Sequence, residues 1–88
     1  MANRQLCHPH LFTCLGEVVQ RRRKQLGLTQ DELARESGVD RAFISNLEGG
    51  KRNPSFGTVA SLAKGLEIRF SRLVVKCETC SENREACG

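Results

Sequence analysis

The stretch that decides the fold is Gln30–Leu47, which reads QDELARESGVDRAFISNL. Its fifth residue, Ala34, is small enough for a second helix to cross closely, and its ninth, Gly38, suits a turn that needs a positive φ. Ile44 and Leu47 are apolar and lie at helical spacing, so they can hold the second helix against the first. The spacing predicts two short helices joined by a tight turn.

Polar residues mark where these two helices begin. Thr29 and Glu32 have the spacing of a capping box, in which the hydroxyl and the carboxylate satisfy opposing backbone donors. Asp40 is a good N-cap for the second helix, predicted over about residues 41–48. These local signals agree with the apolar spacing and support the same pair of helices.

The flanking sequence adds further helices on both sides of the pair. An amphipathic pattern runs from Leu11 to a left-handed cap expected at Gly27, and another begins at the N-cap Ser55. The apolar face of this second pattern holds Phe56, Val59, Leu62, Ala63 and Leu66. Residues 68–76 suit a fifth helix or, from their β-branched content, a strand. The pattern predicts a mainly helical chain, with an arm at 1–10, one domain at 11–76 and a cysteine-containing tail at 77–88.

Charge and hydropathy narrow the class of partner. The chain has 88 residues and a net charge of +4. Residues 1–76 carry 13 basic and 7 acidic side chains, a balance of 13 − 7 = +6. Such a basic domain favours a polyanionic partner. No apolar run approaches the roughly 18 residues of a membrane span, and the N-terminus lacks a secretion signal, so we expect a cytoplasmic protein without a membrane partner.

Together, the helix pair and the basic charge indicate a DNA-binding helix-turn-helix, in which the second helix enters the major groove of double-stranded DNA. Helix pairs with short turns also occur in bundles that do not bind DNA. The sequence contains no nucleophile–base pair and no glycine loop that could cradle phosphates, so we expect no enzymatic activity.

The sequence resembles the Cro/cI-type helix-turn-helix family, also called the XRE family, over about residues 12–75. The resemblance implies an all-α fold: a compact, five-helix, lambda-repressor-like domain in a sequence-specific transcriptional regulator. Such a regulator, a repressor or an activator, is usually a homodimer on a two-fold operator. Residues that carry the resemblance are Gly27-Leu28-Thr29-Gln30, Glu32-Leu33-Ala34, Ser37-Gly38-Val39, Ile44-Ser45-Asn46-Leu47-Glu48 and Gly50-Lys51-Arg52-Asn53-Pro54-Ser55.

The third helix is expected to read DNA with its outward face. Arg41 can bind guanine O6 and N7, and Asn46 can read adenine or a neighbouring base. Ala42 suits a thymine methyl, and Ser45 suits a base or a phosphate. For Arg41, a phosphate contact is the alternative. By resemblance, Gln30 contacts a phosphate and braces this recognition helix.

Other basic residues are given backbone or structural roles. The loop residues Lys51, Arg52 and Asn53 are expected to grip the DNA backbone, with a solvated loop as the alternative. Arg23 falls on the inward stripe of the first helix, where a charge must be paired. Glu48 is its expected partner, and the family resemblance supports this pair. Arg22, facing outward, is a further candidate for a phosphate contact.

Five cysteines make an odd number for a closed set of disulfides, so free thiols or a metal site are expected in a chain without a secretion signal. Candidate zinc ligands are Cys77, Cys80 and Cys87, completed by Cys7 or His8. Inert thiols are the preferred interpretation, with Cys14 packed against the first helix.

The tail and the apolar segment before it could both bind a partner. A zinc ion or a protein partner at the tail would make the chain a metal- or redox-responsive regulator or an antitoxin-type regulator. The apolar segment 68–75, with Phe70 and Leu73, is the expected dimer surface.

Overall fold

The computed structural model describes residues 10–84, and within this range the protein is all-α. The five helices are α1 (Leu11–Gln25), α2 (Gln30–Ser37), α3 (Arg41–Glu48), α4 (Phe56–Gly65) and α5 (Phe70–Arg84). The predicted five-helix fold is confirmed, and the fifth element is a helix and not a strand. None of the helices in this range is long and apolar enough to cross a bilayer.

Helix caps lie where the sequence predicts them. Thr29 Oγ1 accepts from the Glu32 amide at 3.0 Å, and a Glu32 carboxylate oxygen accepts from the Thr29 amide at 2.8 Å. These bonds hold the pKa of Glu32 below its usual value. Asp40 accepts from the Ala42 amide at 3.1 Å. Gly38 has φ 77° and donates its amide to Ala34, so it ends α2 as a left-handed cap.

The core lies where all five helices meet. Helix α1 packs against both α3 and α5, and α4 packs against both α2 and α5. The two helices of the predicted pair contribute Leu33, Ile44 and Leu47, all fully buried. Among residues 10–84, the other fully buried leucine and valine side chains are Val19, Leu62, Leu66 and Leu73.

Two glycines permit close helix contacts. A Cβ on Gly16 of α1 would overlap the carbonyl oxygen of Leu47 in α3. A Cβ on Gly65 would lie 2.8 Å from the Cβ of Ser37, where α4 meets α2. The end of α3 therefore rests directly on the backbone of α1.

Several expectations for the last two helices are wrong. Helix α5 continues past residue 76 to Arg84, so this part of the predicted tail is helical. Leu73 is fully buried and is no part of an exposed dimer surface. Phe56, predicted on the apolar face of α4, is 78% exposed because it lies in the first turn, beyond the core. The predicted arm, apart from His10, lies outside the described residues.

Candidate nucleic-acid interface

Helix α3 has one buried and one exposed face. Ile44 and Leu47 are fully buried, whereas the predicted base-reading residues lie on the other side of the helix. Arg41, Ala42 and Ser45 are exposed, and Asn46 is half-buried. The structure therefore brings all four predicted residues to one polar face that a DNA groove could accept.

The first turn of α2 contacts both ends of α3. Gln30 Nε2 donates to Glu48 Oε1 at 3.0 Å, which gives Gln30 a bracing contact. Asp31 Oδ1 lies 3.1 Å from Arg41 Nε, and both side chains are more than half exposed. An exposed pair of this kind contributes about 0–1 kcal/mol, so Arg41 can exchange the carboxylate for a base or a phosphate at low cost.

Arg23 and Glu48 form the buried ion pair that the sequence suggests. Arg23 Nε and Nη2 donate to the two carboxylate oxygens of Glu48 at 2.8 and 2.9 Å, and Nη1 donates to the Leu28 carbonyl at 2.8 Å. The Glu48 carboxylate raises the pKa of Arg23 above its usual value. With Gln30 bound to the same carboxylate, this cluster fixes the end of α3 against α1 and α2.

The loop after α3 presents three exposed polar residues, Lys51, Arg52 and Asn53. Its start is fixed, because the Lys51 amide donates to the Asn46 carbonyl at 2.9 Å. Arg52 lies over the ring of Phe43, with its guanidinium carbon 5.4 Å from the ring centroid. These contacts hold the loop beside the exposed face of α3.

The sequence suggested that Arg22 faces outward and could contact a phosphate, but its guanidinium is already engaged within the domain. Its guanidinium donates to the carbonyls of Leu66 at 2.9 Å and Glu67 at 3.1 Å, so it caps the C-terminal end of α4. Only the tertiary structure brings these carbonyls to α1, since they lie 44 and 45 residues away along the chain. Sequence periodicity carries no signal for such a contact.

The sequence predicted free thiols or a zinc site, but two of the cysteines form a disulfide. Cys14 of α1 and Cys80 of α5 form a disulfide, so Cys80 is not available as a zinc ligand. Cys77 is a buried free thiol. Within residues 10–84, no group of three or more His, Cys, Asp or Glu side chains could hold a metal ion. Cys7, His8 and Cys87 lie outside the described residues.

Comparison with known proteins places this geometry in a family. The family described as "Helix-turn-helix" matches residues 19–73. An HTH-type transcriptional regulator of Sinorhizobium fredii, y4dJ, is 38% identical over 60 residues, which are 68% of this chain and 78% of the relative. Control protein C.SmaI of Serratia marcescens is 30% identical over 76 residues, 86% of this chain and 90% of the relative.

A solved structure extends this similarity to the fold. A mutant of the restriction-modification controller protein C.Esp1396I has a TM-score of 0.79 and 26% identity, covering 90% of this chain and all of that one. The chain belongs to the helix-turn-helix family and is a transcriptional regulator of the XRE type.

Proposed function

We propose that this regulator acts in the cytoplasm as a homodimer on a two-fold operator, with α3 of each subunit in the major groove. The observation that carries the proposal is the polar face of α3, held rigid by the Arg23–Glu48–Gln30 cluster and flanked by exposed cations. Rigid support matters because base reading needs side chains held close to their contact geometry.

Within this interface we assign two kinds of contact. Arg41 and Asn46 read base edges, with Ala42 and Ser45 beside them. Gln30, Lys51, Arg52 and Asn53 contact the phosphate backbone and set the position of α3. Selection of bound sequences from random duplex DNA tests the proposal, and a two-fold symmetric motif is the expected outcome. Recovery of no preferred sequence would contradict it.

Arg41→Ala and Lys51→Ala are expected to weaken DNA binding in different ways. Loss of Arg41 costs about 1–3 kcal/mol on the selected operator and relaxes the preference at one base position. Loss of Lys51 weakens binding to all sequences alike and lowers the salt slope by about one. Titrations by fluorescence anisotropy at several salt concentrations separate the two effects.

Lys64→Ala is the matched control for these variants, because Lys64 is an exposed cation on α4, away from α3. It should leave operator affinity unchanged. Equal losses on specific and random DNA for Arg41→Ala would refute its base-reading role.

A partly exposed apolar patch supplies the proposed dimer surface. It consists of the exposed Phe56 and Val74 and the half-buried Phe70, near the starts of α4 and α5. The Phe56 and Phe70 rings meet edge to face with centroids 4.7 Å apart, and Val74 is exposed one helical turn after Phe70. One domain reads only one half-site, so pairing through this patch would place two recognition helices about 10 bp or a multiple apart.

Val74→Arg is expected to convert the dimer to a monomer and to weaken operator binding, because it puts a charge into an apolar interface. Val75→Arg is the control, since Val75 is also exposed but faces the groove between α1 and α5. Light scattering on free and DNA-bound protein measures the change. A wild-type monomer in both states would exclude the proposed dimer.

A further inference from the structure

The cystine that joins α1 to α5 lies at a surface groove. This groove, about 810 Å³ in volume, runs between the two helices, and Cys80 is part of its wall. Cys14 is fully buried on the α1 side. The two sulfur atoms therefore differ in access: a small molecule in the groove reaches Cys80 first, and Cys14 only through Cys80.

The groove that contains Cys80 is basic overall. Lys76 and Arg84 lie one helical turn before and one turn after it on α5, and both also line the groove. Arg21, Arg22 and Arg72 add three further cations. Glu17 is the one acid among the lining residues: one of its carboxylate oxygens lies 4.0 Å from Cys80 Sγ, and the other pairs with Arg84. Because Arg84 offsets this carboxylate, the remaining cations leave the groove positive, and positive charge near a cysteine favours the thiolate, which is the reactive form.

We propose that Cys14 and Cys80 form a reversible oxidation site for a small hydroperoxide, with Cys80 as the attacking thiol and Cys14 as the resolving thiol. The inference rests on the proposed function for its output, which is a change in DNA binding, and for the reducing compartment, which is the proposed cytoplasm. In a compartment where thiols are kept reduced, a disulfide is usually transient and redox-sensing.

The chemistry balances in two steps. The Cys80 thiolate attacks one oxygen of the hydroperoxide, so an S–O bond forms and the O–O bond breaks, leaving a sulfenic acid and, after protonation, an alcohol or water. The Cys14 sulfur then attacks the Cys80 sulfur, the S–O bond breaks and water leaves with the Cys14 proton. Two thiols are oxidised by two electrons and the hydroperoxide is reduced. An external dithiol reverses the reaction by exchange and is itself oxidised to a disulfide.

Cys77 is nearby but takes no part. It is buried in the core and has no access to the groove. Burial raises the pKa of the Cys77 thiol to about 11, which keeps it protonated near neutral pH. It therefore provides a matched control within the same helix.

The disulfide is coupled to both parts of the proposed DNA-binding mode. Cys14 precedes Gly16 by two residues, and Gly16 lies against the Leu47 carbonyl at the end of α3. On the other side, Cys80 fixes the helix that carries Phe70 and Val74 of the proposed dimer surface. Oxidation thus links α1, which supports the end of α3, to α5, which carries part of the proposed dimer surface. The oxidised form is therefore the tighter DNA binder.

The first test maps thiols in the full chain with Cys7→Ser and Cys87→Ser, which leaves Cys14, Cys77 and Cys80. Hydrogen peroxide is added to reduced protein, and alkylation with mass spectrometry counts the remaining thiols. We expect them to fall from three to one, with Cys77 the survivor and a loss of two hydrogens per chain. Unchanged thiols, or a disulfide that includes Cys77, would overturn the inference.

The second test assigns the two roles. In Cys14→Ala, dimedone should trap a sulfenic acid at Cys80, whereas in Cys80→Ala peroxide should leave Cys14 unmodified. Lys76→Gln with Arg84→Gln should slow Cys80 oxidation several-fold, and Lys64→Gln, outside the groove, should not. If Cys80 is oxidised at the same rate in the Lys76→Gln, Arg84→Gln double variant and in Lys64→Gln, the charge of the groove does not activate Cys80.

The third test measures output on duplex DNA selected by the protein. Reduction should weaken binding roughly tenfold, within the 5–150-fold usual for coupled sites, in both the parent and Cys77→Ala. Cys80→Ala should bind alike in both redox states. Equal affinity of oxidised and reduced parent would overturn the coupling. If no duplex is selected, the proposed function fails, while thiol mapping still decides the oxidation site.

Discussion

Glu48→Ala is expected to lower the free energy of unfolding by about 3–5 kcal/mol, because it leaves the buried Arg23 guanidinium without its carboxylate. Arg23 is only 8% exposed, so water cannot replace the lost partner without opening the structure. The same substitution removes the acceptor of Gln30, and with it a contact between α2 and the end of α3. Urea unfolding at a fixed redox state measures the loss.

Two further variants separate burial from simple charge removal. Glu36→Ala removes an exposed carboxylate from α2 and should change stability by no more than about 0.5 kcal/mol. Arg23→Met combined with Glu48→Leu should recover much of the loss, since apolar residues of similar volume can replace a buried pair. A cost below about 1 kcal/mol for Glu48→Ala would mean that the pair behaves as a surface salt bridge.

Reduction of the Cys14–Cys80 disulfide is expected to destabilise the domain by about 4 kcal/mol. The cross-linked residues are 66 positions apart, and closing a loop of this length removes much conformational entropy from the unfolded chain. At about 4–8 °C for each kcal/mol in a domain of this size, the unfolding midpoint should fall by about 15–30 °C. Thermal melts of oxidised and reduced protein, followed by circular dichroism, measure the shift.

If the disulfide stabilises the domain by restricting the unfolded chain, the dependence of unfolding on urea should also change. Because the cross-link compacts the unfolded state, the urea m-value should increase on reduction. Cys77→Ala keeps the cross-link and should retain the full difference between oxidised and reduced forms. Coincident melts of oxidised and reduced protein would contradict the prediction.

Sequence alone predicts the features of this fold that depend on neighbouring residues. Thr29 and Asp40 cap their helices, and Gly38 makes the turn, because each acts on a backbone group within a few residues. Contacts between distant segments are not predictable in this way. The Cys14–Cys80 pair has no local signal, because its two residues meet only when α1 packs against α5.

Placement of Leu73 in the dimer surface fails for a related reason. When residues 68–76 could be a helix or a strand, no periodicity could tell which apolar side chains faced inward. Once α5 is a helix, Leu73 turns into the core and Val74 turns out of it. For the proposed DNA interface, the outward face of α3 follows from spacing, whereas the Asp31–Arg41 and Arg52–Phe43 contacts need the tertiary structure.

Because α1 packs against α5, which lies at the other end of the described chain, α1 stays incompletely packed until late in synthesis. The ribosome makes α1 to α4, with the whole proposed DNA-reading face, before it makes the helix that covers the other side of α1. Until Leu73 and Cys77 emerge, the side of α1 that carries Cys14 lacks its cover, and exposed apolar surface of this kind makes partly made chains prone to aggregation. A chain terminated after Gly65 would carry α3 on an unfinished core, which would make it a substrate for proteases.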